Sequence, residues 1–307
     1  MDIVILLVGF SIGLVLLVKG ADEMVSSAVQ IALKFKLPSS IIGATFIGFG
    51  TSAPELFAST GAALKGDLDL GIGNIVGSNI ANSLLVVAVL YLALPKDFSQ
   101  KIKLNQISPV WMAILTTVFV STYVLTNEFP FLLGAVLLIL VIYVIYKMIS
   151  TESVDEGELL GEEKNYIWLR GGLSLLATLY GSQLVVDNAV AIAELFGVSS
   201  LIIGSTIIAI GTSLPEIAGT ISAAKIRKPD IVFGNIFGSN LFNIGLVGAT
   251  AIMISPGEIS SVIDYQLFIM YFVSFIVIFL SRNVIRRNSL LGYLFIVAYI
   301  LFLVSLF

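Results

Sequence analysis

Two glutamates stand out because they lie inside apolar stretches and close the same hexapeptide, GTSAPE at 50–55 and GTSLPE at 211–216. A carboxylate deep in a bilayer costs roughly 3 kcal/mol even on the more lenient insertion scales, so Glu55 and Glu216 each need a partner or a water-filled cavity. Neither has an obvious basic partner nearby in sequence, which leaves a bound cation as the simplest one. Pro54 and Pro215 carry no N–H, so the carbonyls four residues back, Gly50 and Gly211, lose their helical donors and the helix bends there. Together with Gly48, this predicts locally opened turns whose carbonyl oxygens can face a cavity. Thr51 and Glu55, four apart, share a helix face, as do Ser78 and Asn82; Thr212, Glu216, Ser239 and Asn243 repeat the arrangement. Carboxylate, hydroxyl, amide and carbonyl oxygens together suit hard cations such as Ca2+ and Na+, and are wrong for copper or structural zinc. Two carboxylates neutralise one Ca2+ or two Na+, so one site can serve either in turn.

Composition narrows the chemistry further. The 307 residues include no Cys and no His, which excludes disulfides, thiolate chemistry, His-ligated zinc and imidazole acid/base catalysis. No Ser/Lys dyad or aspartate pair is visible in the apolar stretches, so the chain is not read as an enzyme, and no cofactor is expected. Hydrophobic residues make up 58% and charged residues only 12%, about half the ~25% of an ordinary soluble domain. Six of the 20 acids fall between Glu152 and Glu163, so the net charge of −4 says little about partners. Nothing points to nucleic acid; the expected partners are the lipid bilayer and the transported ions.

The elements that must position these residues are membrane helices. Ten apolar segments follow one another, roughly 2–31, 39–64, 70–94, 104–125, 129–149, 166–190, 199–224, 231–254, 262–281 and 289–307, each near the ~20 residues that cross the hydrocarbon core. The first, which follows Asp2 and has no basic n-region, is read as a retained helix and not a cleaved signal. The acidic linker at 150–165 divides the chain into a first half at 1–149 and a second at 166–307. Alternating the loops between two sides puts fifteen of the sixteen basic residues, Lys19 and Lys103 among them, on one side and only Lys65 on the other. The positive-inside rule makes the fifteen cytoplasmic and both termini extracellular, in a multi-pass protein expected in the plasma membrane. Trp111 and Trp168 fall at cytoplasmic span ends, where an aromatic belt would place them.

The halves are copies of one another. Residues 43–82 align without a gap on 204–243, an offset of 161, and 18 of the 40 positions are identical. Five spans per half is an odd number, so the second copy enters the membrane from the opposite face. The fold class is therefore an all-α integral membrane protein of ten transmembrane helices in two inverted-topology repeats, a plan that places substrate near the midplane between discontinuous helices.

GTSAPE and GTSLPE, each followed by a GNxxGSN segment at 73–79 and 234–240, resemble the paired alpha-repeats of the Na+/Ca2+ exchanger branch of the Ca2+/cation antiporter superfamily, and the ten-span plan is similar to its prokaryotic members over the whole chain. The resemblance implies Ca2+ held by Glu55 and Glu216 with the Thr51 and Thr212 carbonyls. It implies flanking Na+ positions drawing on Ser78 and Ser239 with the Gly48 and Ala209 carbonyls, and Ser52, Ser213, Asn82 and Asn243 lining the centre. K+-dependent and archaeal relatives carry Asp where this chain has Asn243, which implies a lower central charge. Ca2+/H+ relatives carry a GN-containing motif in place of GTSxPE.

Plainer readings apply to other residues. Gly43, Gly73, Gly77, Gly204, Gly234 and Gly238 are read as permitting close helix approach, and Asn74, Asn79, Asn235 and Asn240 as ties between broken helices. Asp22, Glu23 and Asp187 are read as interfacial or cavity-mouth residues near span ends, and the acidic linker as a solvated segment. Electrogenic exchange of Na+ for Ca2+ by a chain that can act as a monomer is the leading functional expectation. Ca2+/H+ exchange is the alternative, followed by a cation channel.

Overall fold

The computed structural model describes residues 3–101, 106–151, 166–198, 207, 209–282 and 284–306. Asp2, Lys103, Lys164, Gly204 and most of the acidic linker lie outside the described residues. Helices account for nearly all of the rest. They are α1 Ile3–Phe35, α2 Ser39–Thr51 and α3 Ala53–Leu64, α4 Leu68–Ala93, α5 Ile107–Thr126 and α6 Phe131–Thr151. After the linker come α7 Ile167–Leu195, the short α8 Ala209–Gly211, α9 Leu214–Lys225, α10 Pro229–Ile254, α11 Asp264–Ser281 and α12 Ser289–Val304. Among the described residues, seven of these helices are long and apolar enough to cross a membrane alone, and α2 with α3, bent by 44°, makes an eighth span. The remaining two are α12, of 16 residues, and the span that ends in α8 and α9, whose first residues are not described.

Short pairings between loops sort them into two sides. At one end β1 Ser99–Lys101 pairs antiparallel with β4 Val284–Arg286, and Arg227 bridges to Asp97 at 2.7 Å. The hydrogen bond from the Arg227 guanidinium holds the exposed Asp97 carboxyl below its ordinary range. At the other end β2 Glu128–Phe129 pairs with β3 Gly257–Glu258, and the Ser260 N–H donates to Asp69 at 2.7 Å. Loops rich in basic residues therefore cluster at one end, as the alternation of spans predicts. Lys19 is a correction. It sits at the middle of α1 and not in a loop, because α1 runs unbroken to Phe35 before Lys36 turns the chain with φ 55°. Asp22 and Glu23 are likewise inside the helix and not near a span end.

Burial separates an inner group of helices from an outer pair. In the most apolar windows of α4 and α10, 78% and 83% of residues are buried, against 22% in both α1 and α7. The outer pair lie along one another with small residues at their contact: a Cβ on Gly181 would meet the Leu17 nitrogen at 2.4 Å, and one on Gly20 the Thr178 nitrogen at 2.7 Å. Small residues at such a seam let the two backbones approach closely.

The repeat is visible in the backbone as well as in the residues. The turn after α3 places Gly66 at φ 79° and its counterpart after α9 places Arg227 at φ 60°; Lys36 at φ 55° matches Gly197 at φ 74°. Single π-helical stretches interrupt α4 at Asn82–Val86 and α10 at Asn243–Gly248, starting at equivalent asparagines. A further π stretch, Gly43–Ile47, lies within α2.

Candidate cation site

The GTSxPE motifs break their helices two residues after the glycine carbonyl that proline leaves without a donor. Gly50 remains helical, and the break falls at Ser52, which has φ −80° and ψ 0°. The second copy breaks at Ser213, with φ −92° and ψ 3°. Proline causes this by starting a helix and not by kinking one: Pro54 and Pro215 occupy the first turn of α3 and α9, where an N–H is dispensable. Glu55 and Glu216 consequently lie in the first turn of a half-helix, where exposed N–H groups and the helix dipole favour negative charge. Thr51 does not share a continuous helix face with Glu55, because the break comes between them.

Both carboxylates are almost inaccessible, Glu55 3% and Glu216 2% exposed, and they are close enough for their charges to interact. Ser78 on α4 donates to Glu55 Oε1 at 3.4 Å. Thr51, at the end of α2, lies against Glu216 in the other half. Its hydroxyl is also 3.4 Å from Ser239 Oγ and 3.5 Å from Asn235 Oδ1 on α10. Ser239 donates to the Gly48 carbonyl at 3.3 Å. Close backbone packing makes this contact possible: a Cβ on Gly238 would stand 2.2 Å from the Ala44 carbonyl oxygen, one on Gly234 2.2 Å from that of Ser40, and one on Gly43 2.5 Å from that of Ile231. Among the described residues nothing approaches Gly73 or Gly77 within 4 Å. The stretch 201–205 that the repeat would set opposite them is outside the described residues, as is Gly204.

The asparagine three residues after each GSN sequence bonds across to the other half. Asn82 Nδ2 donates to Asn240 Oδ1 at 3.1 Å and Asn243 Nδ2 donates to Asn79 Oδ1 at 3.0 Å. Asn74 ties α4 to α3 through Ser59 at 2.9 Å. The buried side-chain oxygens without a hydrogen-bond partner include four on residues that the sequence singled out for the site: Ser52 Oγ, Glu55 Oε2, Glu216 Oε2 and Asn243 Oδ1. An unpaired buried oxygen ordinarily costs about 1–3 kcal/mol. Among the described residues neither glutamate has a basic partner. A group of acceptors that lacks donors is the donor set a hard cation requires.

A cavity of about 410 Å3 lies along the C-terminal half of α7, from Glu194, Asp187 and Gln183 down to Gly211, Thr212, Pro215 and Pro54. Asp187 is thus at a cavity wall, hydrogen-bonded by Gln183 at 2.7 Å. At the other end of α1 and α7, where the repeat would set the counterpart of that cavity, Ser222 on α9 donates to Asp22 at 2.5 Å and Arg170 pairs with Glu23 at 2.6 Å. The same asymmetry appears inside the site, where Ser78 bonds its own half's glutamate and its counterpart Ser239 bonds residues of the opposite half.

Of the residues singled out by sequence, Glu55, Ser78, Thr51, Glu216, Ser239 and Gly48 are joined by contacts, Asn82 and Asn243 bond Asn240 and Asn79 of the opposite half, and Ser52 and Ser213 stand at the N-cap positions of the two half-helices without a side-chain cap bond. Thr212 lines the cavity, and Ala209 opens α8 with its backbone alone described. Sequence reasoning missed Ser182, whose Oγ donates to the Gly211 carbonyl at 3.2 Å, the oxygen that Pro215 deprives of its helical donor. Its repeat counterpart is Ala21, so the internal repeat held no signal for it. The orphaned carbonyl itself was the only pointer.

Two inverted five-helix halves, each bringing a carboxylate from a broken helix into one buried oxygen-lined site, define a secondary antiporter of cations in the membrane. The sodium/calcium exchanger protein profile matches residues 5–151 and 166–307. The chain is 39% identical over 263 residues to putative antiporter CaxA of Alkalimonas amylolytica, covering 81% of each chain. It is 31% identical to the sodium/calcium exchanger MaX1 of Methanosarcina acetivorans, over 96% of this chain and 97% of that one. Its structure superposes on that of the sodium-calcium exchanger NCX_Mj soaked with zero Na+ and Ca2+ with a TM-score of 0.83, 28% identity and full coverage of both chains. The chain belongs to the sodium/calcium exchanger protein family, a family of transporters.

Proposed function

We propose that this chain exchanges Na+ for Ca2+ by alternating access, with Glu55 and Glu216 as the carboxylates that hold Ca2+ and release it when Na+ takes its place. The observation that carries this reading is the pair of buried, mutually close carboxylates Glu55 and Glu216, each in the first turn of a half-helix and each with one oxygen that has no hydrogen-bond partner, as Ser52 Oγ and Asn243 Oδ1 also have none. Thr51 and Thr212 complete the Ca2+ position with their carbonyls. Ser78, Ser239, Gly48 and Ala209 supply the flanking Na+ positions, and Ser213 and Asn82 line the centre. Divalent and monovalent ions compete because two carboxylates balance one Ca2+ or two Na+ and the neighbouring oxygens are neutral.

The cavity beside α7 is the outer route to Thr212, and the Asp22–Ser222 and Glu23–Arg170 contacts close the inner one. The end of the molecule rich in Lys and Arg faces the cytoplasm, which leaves both termini outside the plasma membrane. The two halves at 1–149 and 166–307 move relative to each other about the shared site, with the 150–165 linker between them.

Reconstituted vesicles test the reading. An opposed Na+ gradient should drive 45Ca2+ uptake, and Glu55→Gln and Glu216→Gln should each abolish it while the protein remains folded in detergent. Uptake that ignores Na+ but follows a pH gradient would transfer the counter-ion role to H+. Single-channel currents without any counter-ion would make the protein a channel.

A further inference from the structure

We infer that Asn79 and Asn240 act as positioning residues: each fixes which end of a carboxamide in the opposite half, that of Asn243 or Asn82, is turned toward the cation. The inference rests on the proposed ion site and deepens it.

A carboxamide is nearly symmetric in shape but not in charge. Its oxygen attracts a cation and its amino group repels one. A site lined by asparagine therefore works only if something on the far side of each amide distinguishes the two ends. Asn79 does this for Asn243. Its Oδ1 accepts from Asn243 Nδ2 at 3.0 Å, while its own Nδ2 is directed at the Asn240 carbonyl at 3.5 Å and Met270 Sδ at 3.6 Å. Asn240 does the same for Asn82, accepting from Asn82 Nδ2 at 3.1 Å and donating from its own amide to Ser83 Oγ at 3.2 Å.

The consequence is visible in Asn243, whose Oδ1 is buried and has no hydrogen-bond partner. All four asparagines are at most 2% exposed, so water does not compete for either end. Both orienting bonds cross from one half to the other, and both oriented residues open a π-helical stretch at equivalent positions. Each half thereby depends on the other for the polarity of its own ligand. Asn79 and Asn240 touch no ion in this scheme and act through their partners.

A double-mutant comparison on the reconstituted full-length chain tests this, with Na+-driven 45Ca2+ uptake read as half-saturating Ca2+ concentration and maximal rate separately. Asn79→Ala should raise half-saturating Ca2+ about fivefold, the affinity equivalent of one net hydrogen bond, with maximal rate changed less than about twofold. In an Asn243→Ala background the same substitution should change it by less than about twofold, because nothing remains to orient. An equal effect in both backgrounds, or none in the parent, overturns the inference. The counterpart pair, Asn240→Ala with and without Asn82→Ala, gives the same reading if the first variants do not fold. Failure of the site itself is a different result: transport that survives Glu55→Gln and Glu216→Gln.

Discussion

Gly238→Ala is a sharp test of how the site is held together, because its cost can be worked from geometry. The added Cβ would lie 2.2 Å from the Ala44 carbonyl oxygen, 2.5 Å from its Cα and 2.7 Å from its carbonyl carbon. Ordinary contact begins at 3.4 Å, so α10 must retreat from α2 by about 1.2 Å, the difference between 3.4 and 2.2 Å. All three neighbours are backbone and none can rotate away. Overpacking of this kind costs about 1–3 kcal/mol. The next residue is Ser239, whose Oγ is already 3.3 Å from the Gly48 carbonyl and 3.4 Å from the Thr51 hydroxyl. A retreat of an ångström takes both beyond hydrogen-bonding range. The melting temperature in detergent should fall by roughly 5 °C, and the half-saturating Na+ concentration for driving 45Ca2+ uptake should rise severalfold. Gly61→Ala is the control, since nothing lies within 4 Å of its would-be Cβ among the described residues; there alanine should be neutral or should stabilise α3 by about 0.5–1 kcal/mol. Normal melting and normal Na+ dependence in Gly238→Ala would refute the claim that backbone contact between α2 and α10 positions Ser239.

Other outcomes follow from single contacts. Ser182→Ala removes the donor from the Gly211 carbonyl and should destabilise the protein by about 1–3 kcal/mol, measurable as a lower melting temperature, with Ser182→Thr restoring part of it. Asp22→Asn weakens the 2.5 Å bond from Ser222 that closes one end of the route; labelling of cysteines introduced along α1 should become faster from the cytoplasmic side. Arg227→Gln frees the exposed Asp97 carboxyl. Because that carboxyl is held below its ordinary value in the folded protein, any stability from the pair is present at neutral pH and disappears as pH falls below about 3.8. Melting curves of parent and variant should therefore differ slightly at pH 7 and converge in acid.

Sequence by itself determined the ten-span inverted plan and singled out the two carboxylates that the structure brings together. The reason is that a bilayer imposes length and polarity on every span, and an exact 161-residue offset exposes any residue that both copies need. Glu55 and Glu216 were legible because a carboxylate has no ordinary place in an apolar helix. What sequence could not supply was any relation that crosses between the halves or depends on the state of the transporter. The shift of the helix breaks to Ser52 and Ser213, the bond between Asp22 of an extended α1 and Ser222, and the different partners of Ser78 and Ser239 all arise from packing that two identical motifs cannot encode locally. The pairing of Asn79 with Asn243 and of Asn240 with Asn82 belongs to the same class. Each is a hydrogen bond between residues more than 150 positions apart, and only the tertiary structure decides which end of each amide is left for the ion.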